Sequence, residues 1–179
     1  TETSQILSDC RPKLFYTTNQ KRRDLKNFEH DSYAQQTVTD SGEFSFSQFL
    51  NAGRRDYRTV NRDRHDTAAI LYTGGTTGIP KGAMLSHANL QCSAFNVAHY
   101  ERTAHNDRAL CFLPLNHVFA QIHITHSMIF SGGGIVLQPA FDIAKVLDAI
   151  QKYGVTNLYA VPTIYIRLLE IDDLREKLQ

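Results

Sequence analysis

At 179 residues and 42% hydrophobic composition, the chain has single-domain length and enough apolar material to form a core. With 19 Lys and Arg against 18 Asp and Glu, its formal charge is +1, so no overall field directs it to nucleic acid or to an anionic membrane. Cys10, Cys92 and Cys111 are odd in number, widely spaced and without a CxxC pair, which speaks against a disulfide framework or a zinc site and fits a reducing compartment. Residues 1–11 carry no signal-peptide core, and no apolar run approaches bilayer-spanning length. The expected localisation is cytoplasmic.

In chain order, residues 5–9 end a helix that Pro12 cannot continue. Residues 13–18, KLFYTT, are rich in aromatic and β-branched types and make a strand. A short charged helix is expected at 21–28. A second short helix is expected at 45–50, with Ser45 as N-cap and Phe46, Phe49 and Leu50 on one face. From 53 to 66 the periodicity disappears. Arg54, Arg55, Arg58, Arg62 and Arg64 are interleaved there with Asp56, Asp63 and Asp66, and Tyr57 is the one aromatic residue. Nucleic-acid binding calls for aromatic platforms and less acid, so a solvated linker is the better reading. Residues 1–65 are therefore read as the end of an α/β segment plus a polar linker, and 66–179 as the segment that carries the chemistry.

Residues 66–87, DTAAILYTGGTTGIPKGAMLSH, organise that segment. An apolar run at 68–72 breaks into Thr73, Gly74, Gly75, Thr76, Thr77 and Gly78, then Pro80, Lys81 and Gly82, before a second apolar run at 83–85. The pattern is strand, loop, strand. Glycines can take positive φ and let backbone amides converge on an anion, threonine hydroxyls add donors, and Lys81 supplies a cation. Pro80 presets a backbone angle just before that lysine. A Walker loop is excluded: no Ser or Thr follows Lys81 directly, and a strand rather than a helix comes next. A plain hairpin closes in two to five residues, so this many turn-type residues together with a lysine exceed that task.

After the loop, Ser86 caps a helix to about Arg102, with Leu90, Ala94, Val97 and Ala98 at helical spacing. Asn106 and Asp107 make a turn, residues 108–113 a strand, and 118–130 a largely buried helix or pocket wall. Residues 134–138 form a strand. Asp142 caps a helix built on Ile143, Val146, Leu147 and Ile150, which Gly154 stops. A further strand spans 155–161, and Pro162 opens a helix at 163–170. Two strands joined by a crossover helix imply parallel pairing, hence an α/β fold with a partly parallel sheet and helices on its faces. His117, His123 and His126 raise the question of metal, but no HExxH pattern, nearby cysteine or acidic fourth ligand accompanies them.

Residues 72–82 resemble the AMP-binding motif of the adenylate-forming superfamily, Tyr-Thr-Ser-Gly-Thr-Thr-Gly-x-Pro-Lys-Gly. This superfamily includes acyl-CoA synthetases, luciferases and peptide-synthetase adenylation domains. One position departs: Gly74 stands where the family has serine, which removes a hydroxyl and predicts a looser phosphate contact. LPLNHVFA at 113–120 is similar to the family's next motif, with His117 the match and Asn116 in place of an aromatic residue. SHANL at 86–90 leans toward the acyl-CoA synthetases, and the likeness is continuous from 66 to 170. The resemblance implies an ATP-dependent ligase, long-chain fatty acid-CoA ligase-like, that joins a fatty or aromatic carboxylic acid to the α-phosphate of ATP and passes it to CoA. It implies that Thr73, Gly74, Gly75, Thr76, Thr77, Gly78 and Lys81 grip the phosphates and that His117 sits near the carboxylate. The family's magnesium-associated glutamate, its adenine and ribose contacts and its C-terminal lysine have no counterpart before Gln179, so no Mg2+ ligand is assigned in this chain. The expectation is a fragment of the N-terminal domain, inactive alone and prone to self-association through apolar surface. The alternative is a noncatalytic nucleotide-binding or assembly module.

Overall fold

The computed structural model describes residues 2–25, 36–42, 45–53, 56–74 and 78–178. They divide into two compact units, one formed by residues 1–62 and 72–83 and the other by 63–71 and 84–179.

In the first unit, helix α1 (Glu2–Cys10) leads to β1 (Leu14–Tyr16), α2 (Asn19–Asp24), β2 (Gln36–Val38) and α3 (Phe46–Ala52). The helix expected at 21–28 begins earlier because Thr18 caps it, accepting from the Lys21 amide at 3.1 Å; residues 26–28 lie outside the described residues. Ser45 caps α3 as expected, through the Gln48 amide at 3.4 Å. β1 and β2 pair in parallel, Leu14 opposite Gln36 and Tyr16 opposite Val38. Leu7, Leu25 and Val38 are buried here, and the rings of Tyr16 and Phe46 meet edge-on at 5.4 Å. Residues 56–62 form no regular element, in keeping with the polar, aperiodic stretch.

The second unit is organised on β5 (Arg108–Cys111), flanked by β6 (Gly134–Leu137) and β7 (Asn157–Leu158), both parallel to it. Its composition explains the central place. Successive strand residues point to opposite faces, and β5 is apolar on both. Leu110 and Phe112 join Val146, Ala149, Ile164 and Leu168 in one core, while Ala109 and Cys111 join Ala120, Ile124 and Met128 in another. The first core is roofed by α6 (Ile143–Tyr153) and α7 (Pro162–Leu169), the second by the helical stretch 119–131. A strand buried on both sides is the usual centre of a parallel sheet. The crossover reading therefore needs one correction: the strands before and after α6 share a sheet, but they do not pair, because β5 lies between them. The strand expected at 155–161 is also shorter: β7 pairs through Asn157 and Leu158, opposite Ala109 and Leu110 of β5.

α4 (His87–Glu101) begins at a capping box in which the Asn89 amide donates to Ser86 Oγ at 3.2 Å and the Ser86 amide donates to Asn89 Oδ1 at 3.0 Å. Replacing Ser86 by alanine should cost about 1 kcal/mol of stability, measured as a shift in the urea midpoint at constant slope. Asp142 caps α6 through the Lys145 amide at 3.0 Å, and Gly154 ends it in the left-handed region. α8 (Leu174–Lys177) completes the unit.

The expected helix at 118–130 is two elements, a π-helical stretch Phe119–His126 and α5 (Ser127–Ser131). Hydroxyls that bond back into the ladder accompany the change: Thr125 Oγ1 donates to the Ala120 carbonyl at 2.9 Å, and Ser131 Oγ to that of Ser127 at 2.7 Å. Such side-chain insertion loosens the α-helical register. Gly133 follows where nothing larger fits, since a Cβ there would lie 3.0 Å from the Asp107 carbonyl and 3.1 Å from the Met128 sulfur.

Candidate functional site

β3 (Thr67–Thr73) and β4 (Lys81–Ser86) hydrogen-bond to one another and carry the Gly/Thr-rich loop between them. Gly75, Thr76 and Thr77 lie outside the described residues. Thr73 closes β3 with an exposed side chain, and Gly74 follows it, also exposed. A Cβ built on Gly74 meets nothing within 4 Å, so glycine is not demanded there by space. Gly78 is different: its φ of 75° lies in the left-handed region, where a side chain is strained. Lys81 opens β4 directly after Pro80, and its side chain is exposed. Thr73, Gly74, Gly78 and Lys81 belong to one compact unit and His117 to the other.

Tyr72, the residue before Thr73, donates its phenolic hydrogen to Asp9 Oδ2. That hydrogen bond, helped by desolvation and by the negative charge of Asp9, pushes the Tyr72 phenol well above its ordinary range, so it remains a donor into the alkaline region.

His117 stands in the turn after β5. Its amide donates to the Pro114 carbonyl at 3.0 Å, and its own carbonyl accepts from the Gln121 amide at 3.0 Å, an α-type turn that leads into the π-helical stretch. The Phe119 amide donates to His117 Nδ1 at 3.2 Å. With Nδ1 accepting, the neutral ring carries its proton on Nε2. The imidazole is exposed, oriented by its own backbone and open to a partner at Nε2.

Sequence reading missed a polar cluster in the same unit. His123 Nε2 lies 2.8 Å from Glu101 Oε1, and the Tyr159 phenol donates to Glu101 Oε2. The His123 ring is 5.4 Å from that of Tyr159 and 5.0 Å from that of Phe119. Burial first, and then the bond to Glu101, push the Tyr159 phenol above its ordinary range. The three residues come from the end of α4, the π-helical stretch and the exit of β7, and no local spacing links them. His123 and His126 do not converge: His123 is held by Glu101, whereas His126 Nδ1 is buried with no hydrogen-bond partner among the described residues. Among the described residues no three His, Cys, Asp or Glu side chains gather in a way that could hold a metal ion, and no helix is long and apolar enough to cross a membrane.

A family model described as AMP-binding enzyme matches residues 1–179. Feruloyl-CoA synthase of an Amycolatopsis species is 40% identical over 100 residues, 56% of this chain and 20% of that protein. Probable 4-coumarate--CoA ligase 2 of Dictyostelium discoideum is 37% identical over 125 residues, 68% of this chain and 23% of that protein. Among solved structures, apo MatB from Rhodopseudomonas palustris superposes with a TM-score of 0.86 at 31% identity, over 98% of this chain and 35% of that one. The ATP-bound form of the same protein gives the same values. The chain spans about a fifth of the length of the curated relatives it matches.

Proposed function

The chain belongs to the AMP-binding enzyme family, whose model matches it over residues 1–179, and from that premise we propose that it is part of the N-terminal domain of an ATP-dependent acid–thiol ligase. In the first half-reaction a carboxylate oxygen attacks the α-phosphorus of ATP, the bond to the β-phosphate breaks and pyrophosphate leaves. In the second, the thiol of CoA attacks the acyl-adenylate carbonyl and AMP leaves. The observation that carries this reading is the family match, joined to a β3–loop–β4 unit whose exposed Thr73, Gly74, Gly78 and Lys81 sit on its loop side.

Bringing a carboxylate to a triphosphate unites two anions, so the site must neutralise charge and hold the attack in line. Lys81, Thr73 and the amides of Gly74 and Gly78 supply cation and donors for the departing β- and γ-phosphates, with Gly75, Thr76 and Thr77 completing the loop. With Nδ1 accepting from the Phe119 amide, His117 presents an Nε2–H suited to the acid's carboxylate. Magnesium would accompany the nucleotide; the residues described here include no cluster to hold it, and the work assigned to this chain is phosphate neutralisation and positioning. Relatives named feruloyl-CoA synthase and 4-coumarate--CoA ligase favour an aromatic acid over a fatty one. The 179-residue chain alone is assigned no turnover. In this proposal residues 1–65 are the preceding segment with its linker, residues 66–179 are the AMP-binding segment, and the proposed setting is cytoplasmic.

Gly74 favours a second reading, a noncatalytic nucleotide-binding or assembly module, because it removes a hydroxyl from the loop. The two are separated by Gly74→Ser in the complete protein. Space is free for the side chain, so one restored hydrogen bond should lower the KM for ATP roughly threefold to tenfold. A KM unchanged by the substitution would mean that position 74 does not touch the phosphates. ATP binding without acid-dependent pyrophosphate exchange, in wild type and variant alike, would favour the module.

A further inference from the structure

We propose that Asp9 is a positioning residue for the phosphate loop, acting through Tyr72; the inference rests on the phosphate-gripping role given to that loop above. The two side chains are 63 residues apart in sequence, and the Tyr72 hydroxyl donates directly to Asp9 Oδ2. Asp9 is the penultimate residue of α1, a helix whose last turn holds no basic side chain. A carboxylate at that end lies against the negative pole of the helix, so α1 gains nothing from it. An acidic residue placed against its local preference points to work done elsewhere, and the partner it has is the residue that hands β3 to the loop.

The division of the fold marks the same residue. Leu71 belongs to one compact unit and Tyr72 to the other, the one that contains α1. Tyr72 is therefore where β3 enters the unit of its anchor, with the Thr73 hydroxyl and Gly74 amide next along the chain. A strand end held at its side chain by a charged acceptor leaves fewer directions for the loop to start from. Donors aimed in advance cost less to order when the triphosphate arrives.

The test uses the complete protein with Asp9→Ala, Tyr72→Phe, the double variant and Asp9→Asn. Pyrophosphate exchange is measured along with amide hydrogen exchange at Tyr72, Thr73 and Gly74. Either of the first two single changes should raise the KM for ATP about fivefold to tenfold, with the KM for the acid unchanged and faster amide exchange at the strand end. The double variant should be no worse than either single one, because both remove the same contact. Asp9→Asn, which keeps an accepting oxygen, should remain within about twofold of wild type. An unchanged KM for ATP in Asp9→Ala, or losses that add in the double variant, would overturn the proposal. Were the wild-type protein inactive with every acid, the ligase reading would fail by itself. Amide exchange would still judge the anchor: unchanged protection in Asp9→Ala and Tyr72→Phe would overturn it, and faster exchange would uphold it.

Discussion

Replacing Lys81 by alanine in the complete protein should lower acid-dependent pyrophosphate exchange by roughly 10²–10³-fold, the usual loss when one preorganised charge-stabilising donor is removed. Lys81 is the one cation among residues 72–82, and it opens β4 immediately after Pro80. Its ammonium is a point charge on a long stem, suited to the proposed contact with the departing pyrophosphate. The side chain is exposed, so the substitution should leave stability within about 0.5 kcal/mol. Lost exchange with an unchanged unfolding midpoint would therefore report chemistry and not folding. Exchange within a factor of three of wild type would remove Lys81 from the phosphate site.

The second large effect is on stability. Leu110 is fully buried in the central strand, in contact with the core that α6 and α7 close. Leu110→Ala should cost about 3 kcal/mol, within the range for large-to-small changes in a rigid core. The neighbouring edge strand provides the control, since Leu137 is 63% exposed and its replacement by alanine should stay within about 0.5 kcal/mol. Urea denaturation of both variants, with the slope held constant, makes the comparison. Equal midpoints would show that β5 is not the buried centre of the second unit.

What could be read from sequence was local. Ser45, Ser86 and Asp142 identified their helices because an N-cap acts on amides three residues away, and Pro162 marked the start of α7 for the same short-range reason. The loop at 72–82 was legible because its threonines, glycines and lysine are contiguous. Sheet order was not. β5 precedes β6 and β7 in the chain yet lies between them, and the apolar run that explains this, Ala109 to Phe112, is equally compatible with an edge strand until both covering layers are known. The π-helical register at 119–126 is accompanied by the Thr125 back-bond to the Ala120 carbonyl, which hydrophobic periodicity does not encode.

The long-range polar contacts were beyond reach for a simpler reason. Glu101 meets Tyr159 across 58 residues and Asp9 meets Tyr72 across 63, and single-sequence spacing holds no information at that distance. His117 shows the boundary within one residue. Its place in the motif was readable, whereas the Phe119 amide that sets its tautomer through Nδ1 became visible only with the turn folded.

The most direct test of the ligase assignment is acid-dependent exchange of labelled pyrophosphate into ATP by the complete protein, with hydroxycinnamic, benzoic and short- and long-chain fatty acids tried in parallel. Exchange is expected with at least one aromatic acid, lowered about 10²–10³-fold in Lys81→Ala and absent from the 179-residue chain alone. A folded, ATP-binding protein that exchanges nothing with any acid would contradict it.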